Sequence, residues 1–80
     1  MNDINIPLKP AVLINSSHIE GYSYDDKQYT LDVWYKSKKP AIIRYFLIYP
    51  TVFASVFNTG GSVGLKARNQ LKGYRSIKLK

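Results

Sequence analysis

Two β-type runs in close succession, ended by a proline, set most of what this chain can fold into. Tyr29, Leu31, Val33 and Tyr35 alternate with Thr30, Asp32, Trp34 and Lys36. A period of two puts the first set on the core face of a strand and the second set on the other face. On that second face Trp34 is expected to be half-covered by a neighbouring strand or exposed. After the polar turn Ser37-Lys38-Lys39-Pro40, residues 41–49 run apolar, broken only by Arg44. Their β-branched and aromatic content favours a central strand over a helix. Upstream, residues 19–24 read as a further strand with Ile19, Tyr22 and Tyr24 packing inward. It is closed by the turn Asp25-Asp26-Lys27-Gln28, rich in residues that hydrogen-bond their own backbone. Consecutive strands joined by short turns make an antiparallel meander.

Pro50 then changes the periodicity. Its missing N–H is no loss in the first turn of a helix. Val52, Phe53, Val56 and Phe57 follow on one helical face. The segment Asn58-Thr59-Gly60-Gly61 stops that helix and Ser62 is placed to cap a second, with Val63, Ala67 and Leu71 on one side. Residues 74–80 alternate and predict an edge strand guarded by lysines, or a loose tail. Residues 1–10, with Pro7 and Pro10, form a flexible N-terminal arm. Residues 11–80 make a single domain. The expected fold is α+β: a small antiparallel β-meander of three to four strands, followed by two short C-terminal helices packed on one face.

The chain has 80 residues, near the lower limit at which one apolar core suffices. It has no cysteine and one histidine, so disulfides, zinc–thiolate sites and a histidine-based metal site are excluded. No run of about 18 apolar residues is present, so no transmembrane helix is expected. The first ten residues lack the pattern of a secretory signal, and the expected location is cytoplasmic, in a bacterium or a phage-infected host. No cofactor is expected.

Charge is segregated along the chain. All five carboxylates lie at or before Asp32, whereas ten of the twelve Lys and Arg follow it. These bases outnumber any acid able to neutralise them, so they face water or a negative partner.

The strings SSHIEGYSYD, YTLDVWYKS, IIRYFLIYPTVFASVF and SVGLKARNQLKGY, taken in order, resemble the KTSC domain family over about residues 13–75. Ser16, Ser17, Ile19, Tyr24, Asp25, Leu31, Val33, Tyr45, Pro50, Ser62 and Gly64 stand at the positions of the family pattern. Lys66, Ala67 and Arg68 replace the aromatic-Phe-Asn element that usually follows its Ser-x-Gly. The resemblance implies a small domain of the kind appended to some lysyl-tRNA synthetases and also found alone in bacteria and phages. Contact with RNA follows by analogy with that enzyme.

The basic residues Arg44, Lys66, Arg68, Lys72, Arg75 and Lys78, with Tyr74 among them, are the expected nucleic-acid or partner-binding set. Trp34 and Tyr45 are the expected stacking rings, because unpaired bases stack on exposed aromatic faces. Gly60-Gly61-Ser62-Val63-Gly64 could cradle a phosphate at a helix start, but it lacks the Lys-Ser/Thr ending of a nucleotide-hydrolysing loop. Ser17 and His18, adjacent on an extended segment, point to opposite faces and make no nucleophile–base pair. Asp25 and Asp26 suit a turn, and no catalytic residue is expected. The sequence points to a small basic non-enzymatic module binding nucleic acid, RNA or single strands preferred. The alternative is a phage-encoded inhibitor or adaptor binding an acidic surface of a host or defence protein. A homodimer through an exposed edge strand is a further expectation.

Overall fold

The computed structural model describes residues 9–14, 16–36, 38–57 and 63–80. Its elements run β1 (Val12–Leu13), β2 (Ile19–Asp25), β3 (Thr30–Tyr35), β4 (Ala41–Tyr45), α1 (Pro50–Phe57), α2 (Val63–Leu71) and β5 (Ser76–Lys78). The five strands form one antiparallel sheet in the order β1-β2-β3-β4-β5.

This corrects the expected architecture. The sheet has five strands rather than three to four, and it is open. The helices are not a C-terminal addition to a finished meander: they are inserted between β4 and β5, and the chain returns from α2 to complete the sheet. β1, with two residues, is too short to show a period and exists because β2 offers its free edge. β5, with three residues, falls within residues 74–80, expected as an edge strand or a loose tail, and of the two it is the edge strand.

Leu31 and Val33 of β3 are fully buried, as are Ile19, Ile48, Val56, Ala67 and Leu71, and these seven form the core cluster. Ile19 and Tyr22 differ in parity, yet both contribute to this core. A register shift between Ile19 and Gly21 reconciles them, since a bulge inserts one residue and turns the following side chains over. Tyr22 and Tyr24 then meet α1. Tyr24 stacks on Phe53 at 4.3 Å, and Tyr22 lies 4.1 Å from the Phe57 ring centroid.

The bulge directs Gly21 to the other face, beneath the N-terminal segment. A Cβ there would collide with the Val12 carbonyl oxygen and lie 2.7 Å from Pro10 Cγ. The backbone oxygen has no rotamer by which to move away. Gly21→Ala is therefore expected to cost about 1–3 kcal/mol, the usual cost of overpacking. Chemical denaturation would measure it, together with loss of the Ile14–Glu20 backbone hydrogen bond in amide exchange.

Two strand ends fall short of the sequence expectation. Tyr29, assigned to the core face, adopts φ 57° and is 37 % exposed. It closes a turn in which the Asp25 carboxylate accepts from the Lys27 and Gln28 amides. The strand expected over 41–49 stops at Tyr45, because Leu47 adopts φ 60° and turns the chain away. Ile48 then buries itself, donating its N–H to the Tyr29 carbonyl and accepting the Tyr24 hydroxyl proton. The Tyr49 carbonyl accepts from Val52 and Phe53 at the start of α1, with Pro50 in the first turn as expected. Residues 58–62, expected to separate the helices and cap the second, lie outside the described residues, as do residues 1–8 of the expected arm.

Candidate anion-binding groove

Between α2 and the β4 side of the sheet lies an open groove of about 440 Å³. Register builds its floor. Tyr35 pairs with Ala41, and one strand position runs to Ile43 and Tyr45, so all four side chains share the face that carries Leu31 and Val33. The hydroxyls of Tyr35 and Tyr45 are 2.7 Å apart and share a hydrogen bond. Burial and that bond hold the Tyr35 proton well above the ordinary tyrosine range.

This gives a pH dependence with a definite sign. The folded-state value is raised, so the stabilisation is complete below pH about 10, where unfolded tyrosine ionises, and is lost as pH rises further. Tyr35→Phe is expected to flatten the alkaline fall in stability by up to about 1.4 kcal/mol per pH unit above 10. Urea unfolding of both proteins at pH 8 to 11 would show the difference.

The walls are cationic. Arg68 and Lys72, four residues apart on the α2 side, line the groove with Lys36 and His18. Lys36 is held in place by donating from Nζ to the Ser16 carbonyl at 2.9 Å, which leaves two ammonium protons for a ligand. Ser16 Oγ accepts from the amides of His18 and Ile19 and shapes the loop that carries His18. The imidazole sits against Gly64, where a Cβ would lie 2.9 Å from His18 Cβ and Cδ2. Glycine at the start of α2 thus lets the helix approach this loop. Among the described residues no carboxylate lines the groove.

The opposite face of the sheet holds a second depression of about 430 Å³, lined by Ser23, Tyr24, Asp25, Gln28, Thr30, Asp32 and Arg44. Its floor is a bidentate ion pair. Arg44 Nε donates to Asp32 Oδ1 at 2.7 Å and Nη2 to Oδ2 at 2.9 Å. The Asp32 hydrogen bonds raise the Arg44 pKa, against the opposing effect of burial. Asp32 is the buried charged residue among those described.

The sequence-predicted residues are therefore divided. Arg68, Lys72 and Tyr45 come together in the groove. Lys78 pairs with Ile43 and shares that face on the neighbouring edge strand. Arg44 lies on the other face, its guanidinium fork turned to Asp32. Arg75 sits over the Phe46 ring at 6.0 Å, and Tyr74 packs against the core. Lys66 is half-buried on α2. Trp34, expected half-covered or exposed and offered as a stacking ring, is 6 % exposed with its Nε1 buried. Ile42, paired with it across the strands, is similarly covered. Gly60, Gly61 and Ser62 of the glycine-rich segment lie outside the described residues.

Sequence reasoning missed Lys36, His18 and Tyr35 as groove residues, whereas Gly64 belongs to the glycine-rich segment read as able to cradle a phosphate. Tyr35 read as core and Lys36 as the opposite face of the same strand. Only the end of β3, where regular alternation stops, brings both to one wall. Among the described residues no group of three or more side chains is placed to hold a metal, and no helix is long and apolar enough to cross a membrane.

No family model and no curated protein matches this chain.

Proposed function

We propose that this chain is a small non-enzymatic module that binds nucleic acid, unpaired RNA or DNA in preference to duplex, through the groove beside α2. The observation that carries this reading is a tyrosine-floored groove walled by Lys36, Arg68 and Lys72 and, among the described residues, free of carboxylates. Arg68 and Lys72 stand one helical turn apart, about 6 Å, close to the phosphate spacing of a single strand. A base already paired in a duplex has no free face to stack, whereas an unpaired base can reach the Tyr45 ring and the apolar surface of Ala41 and Ile43. Stacking of that kind contributes about 1–3 kcal/mol per base. Kinship with the KTSC domains, and a place in the cytoplasm of a bacterium or phage-infected host, belong to the same proposal.

Three phosphate contacts predict a slope of log K against log salt of about −2 for single strands. Six contacts along the basic half of the chain would give about −4. Fluorescence anisotropy with a labelled ten-nucleotide strand across a salt series measures this. A slope near zero, or equal binding of duplex, would remove the proposal. Recovery of an acidic protein from nuclease-treated lysate, with no oligonucleotide binding, would favour the inhibitor reading instead.

A further inference from the structure

One surface has no place in that proposal. Leu47 is 61 % exposed, Tyr49 52 % and Tyr29 37 %. The Tyr29 and Tyr49 rings meet edge to face at 4.7 Å, and the Ile48 amide donates to the Tyr29 carbonyl at 2.8 Å, so the two segments stand together. Large apolar side chains gathered on a surface mark a contact site. Tyr29 and Leu47 also hold left-handed backbone, where neither residue type is favoured. The patch adjoins the turn bearing Asp25, Asp26 and Lys27, which leaves one net negative charge there.

The groove has the complementary character, with an apolar floor, cationic walls and no carboxylate among the described residues. Tyr29 precedes the first residue of β3 and Lys36 follows its last, so the patch stands at the far end of that strand from the Lys36 wall. Leu47 and Tyr49 stay exposed within one molecule, which leaves them open to fill the groove of a second copy.

We propose that two copies of this chain associate head to tail, with the Leu47–Tyr49 patch of one seated in the groove of the other. Leu47 and Tyr49 meet Ala41, Ile43 and Tyr45, and the acidic turn faces Lys36, Arg68 and Lys72. The contact is heterologous, so it leaves a free patch and a free groove at its ends. It rests on the groove being the binding site proposed above, and it makes self-association and strand binding mutually exclusive.

The test uses two variants of the whole chain. Leu47→Asn removes the apolar contact and suits left-handed backbone, while Arg68→Glu/Lys72→Glu alters only the groove. Sedimentation velocity of the wild type up to about 1 mM is expected to show rising mass, and each variant at least tenfold weaker association. Mixed together, the variants should form a 1:1 complex that grows no further, because one supplies the groove and the other the patch. Adding a ten-residue oligo(dT) should disperse the wild-type assembly, and Leu47→Asn should bind that strand as the wild type does. A monomeric wild type, an associating Leu47→Asn, or a mixture that stays monomeric overturns the proposal. If the mixture associates but oligo(dT) binds neither it nor the wild type, this inference stands and the nucleic-acid reading falls. If the strand binds and nothing associates, the reverse holds.

Discussion

Arg68→Glu/Lys72→Glu is expected to weaken single-strand binding at least about 100-fold in low salt, while the domain stays folded. Two of the three lysine and arginine side chains that line the groove among the described residues would then repel phosphate. At a few ångströms and a surface dielectric, each reversed charge is worth about 1–4 kcal/mol, so a 100-fold loss, near 2.7 kcal/mol, is a conservative figure. Both side chains are exposed, and glutamate near the end of α2 opposes the helix dipole by only about 0.3–1 kcal/mol. The thermal midpoint should fall by a few degrees at most. The parallel change Arg75→Glu is the control. Its guanidinium lies over Phe46, outside the groove, and the variant should keep most of the affinity. Anisotropy and circular dichroism on the same samples separate lost binding from lost fold. Retained affinity in the double variant would show that the strand is held elsewhere.

Asp32→Ala is expected to destabilise the domain as strongly as the loss of a core side chain. It removes both acceptors of the Arg44 fork and strands a guanidinium whose side chain is only 24 % exposed. Breaking a buried pair costs about 3–5 kcal/mol, and residual hydration of Arg44 puts this case near 3. A domain of this size has a margin of about 5–8 kcal/mol, so more than a third of it would go. Replacing both partners behaves differently. Asp32→Val/Arg44→Leu leaves no uncompensated charge and suits paired strands. It should return to within about 1 kcal/mol of the wild type. Denaturant unfolding of the three proteins tests the cycle, and equal losses in the single and double variants would contradict it. Strand binding by the double variant should be unchanged, because Arg44 lies on the sheet face away from the groove.

That separation could not be read from Arg44 in the sequence. A lone base inside an apolar run looks like a ligand contact when no acid follows it. Its partner Asp32 lies twelve residues earlier, and only the β3–β4 register sets the two opposite each other. Trp34 posed the same difficulty. Alternation put it on the second face, but what covers that face depends on Ile42 across the strand pair and on how the N-terminal segment crosses Gly21. The helices were easier, because Val52, Phe53 and Val56, then Val63, Ala67 and Leu71, repeat at helical spacing within one segment. β1 was not, since two residues carry no period, and the alternation over residues 74–80 left β5 open between an edge strand and a loose tail.

Local pattern in the amino-acid chain was enough to establish the central strands, the start of α1 at Pro50, the buried side of α2 and the cationic excess after Asp32. Each depends on neighbours within a few positions, where sterics and solvent exclusion act directly. Strand register, inversion of parity at the bulge, and the meeting of Lys36 with Arg68 and Lys72 were decided by the tertiary structure alone. Contacts across thirty or more residues form only once the sheet has closed around its core. Which of twelve bases share one wall is then a matter of where strands end and where α2 returns.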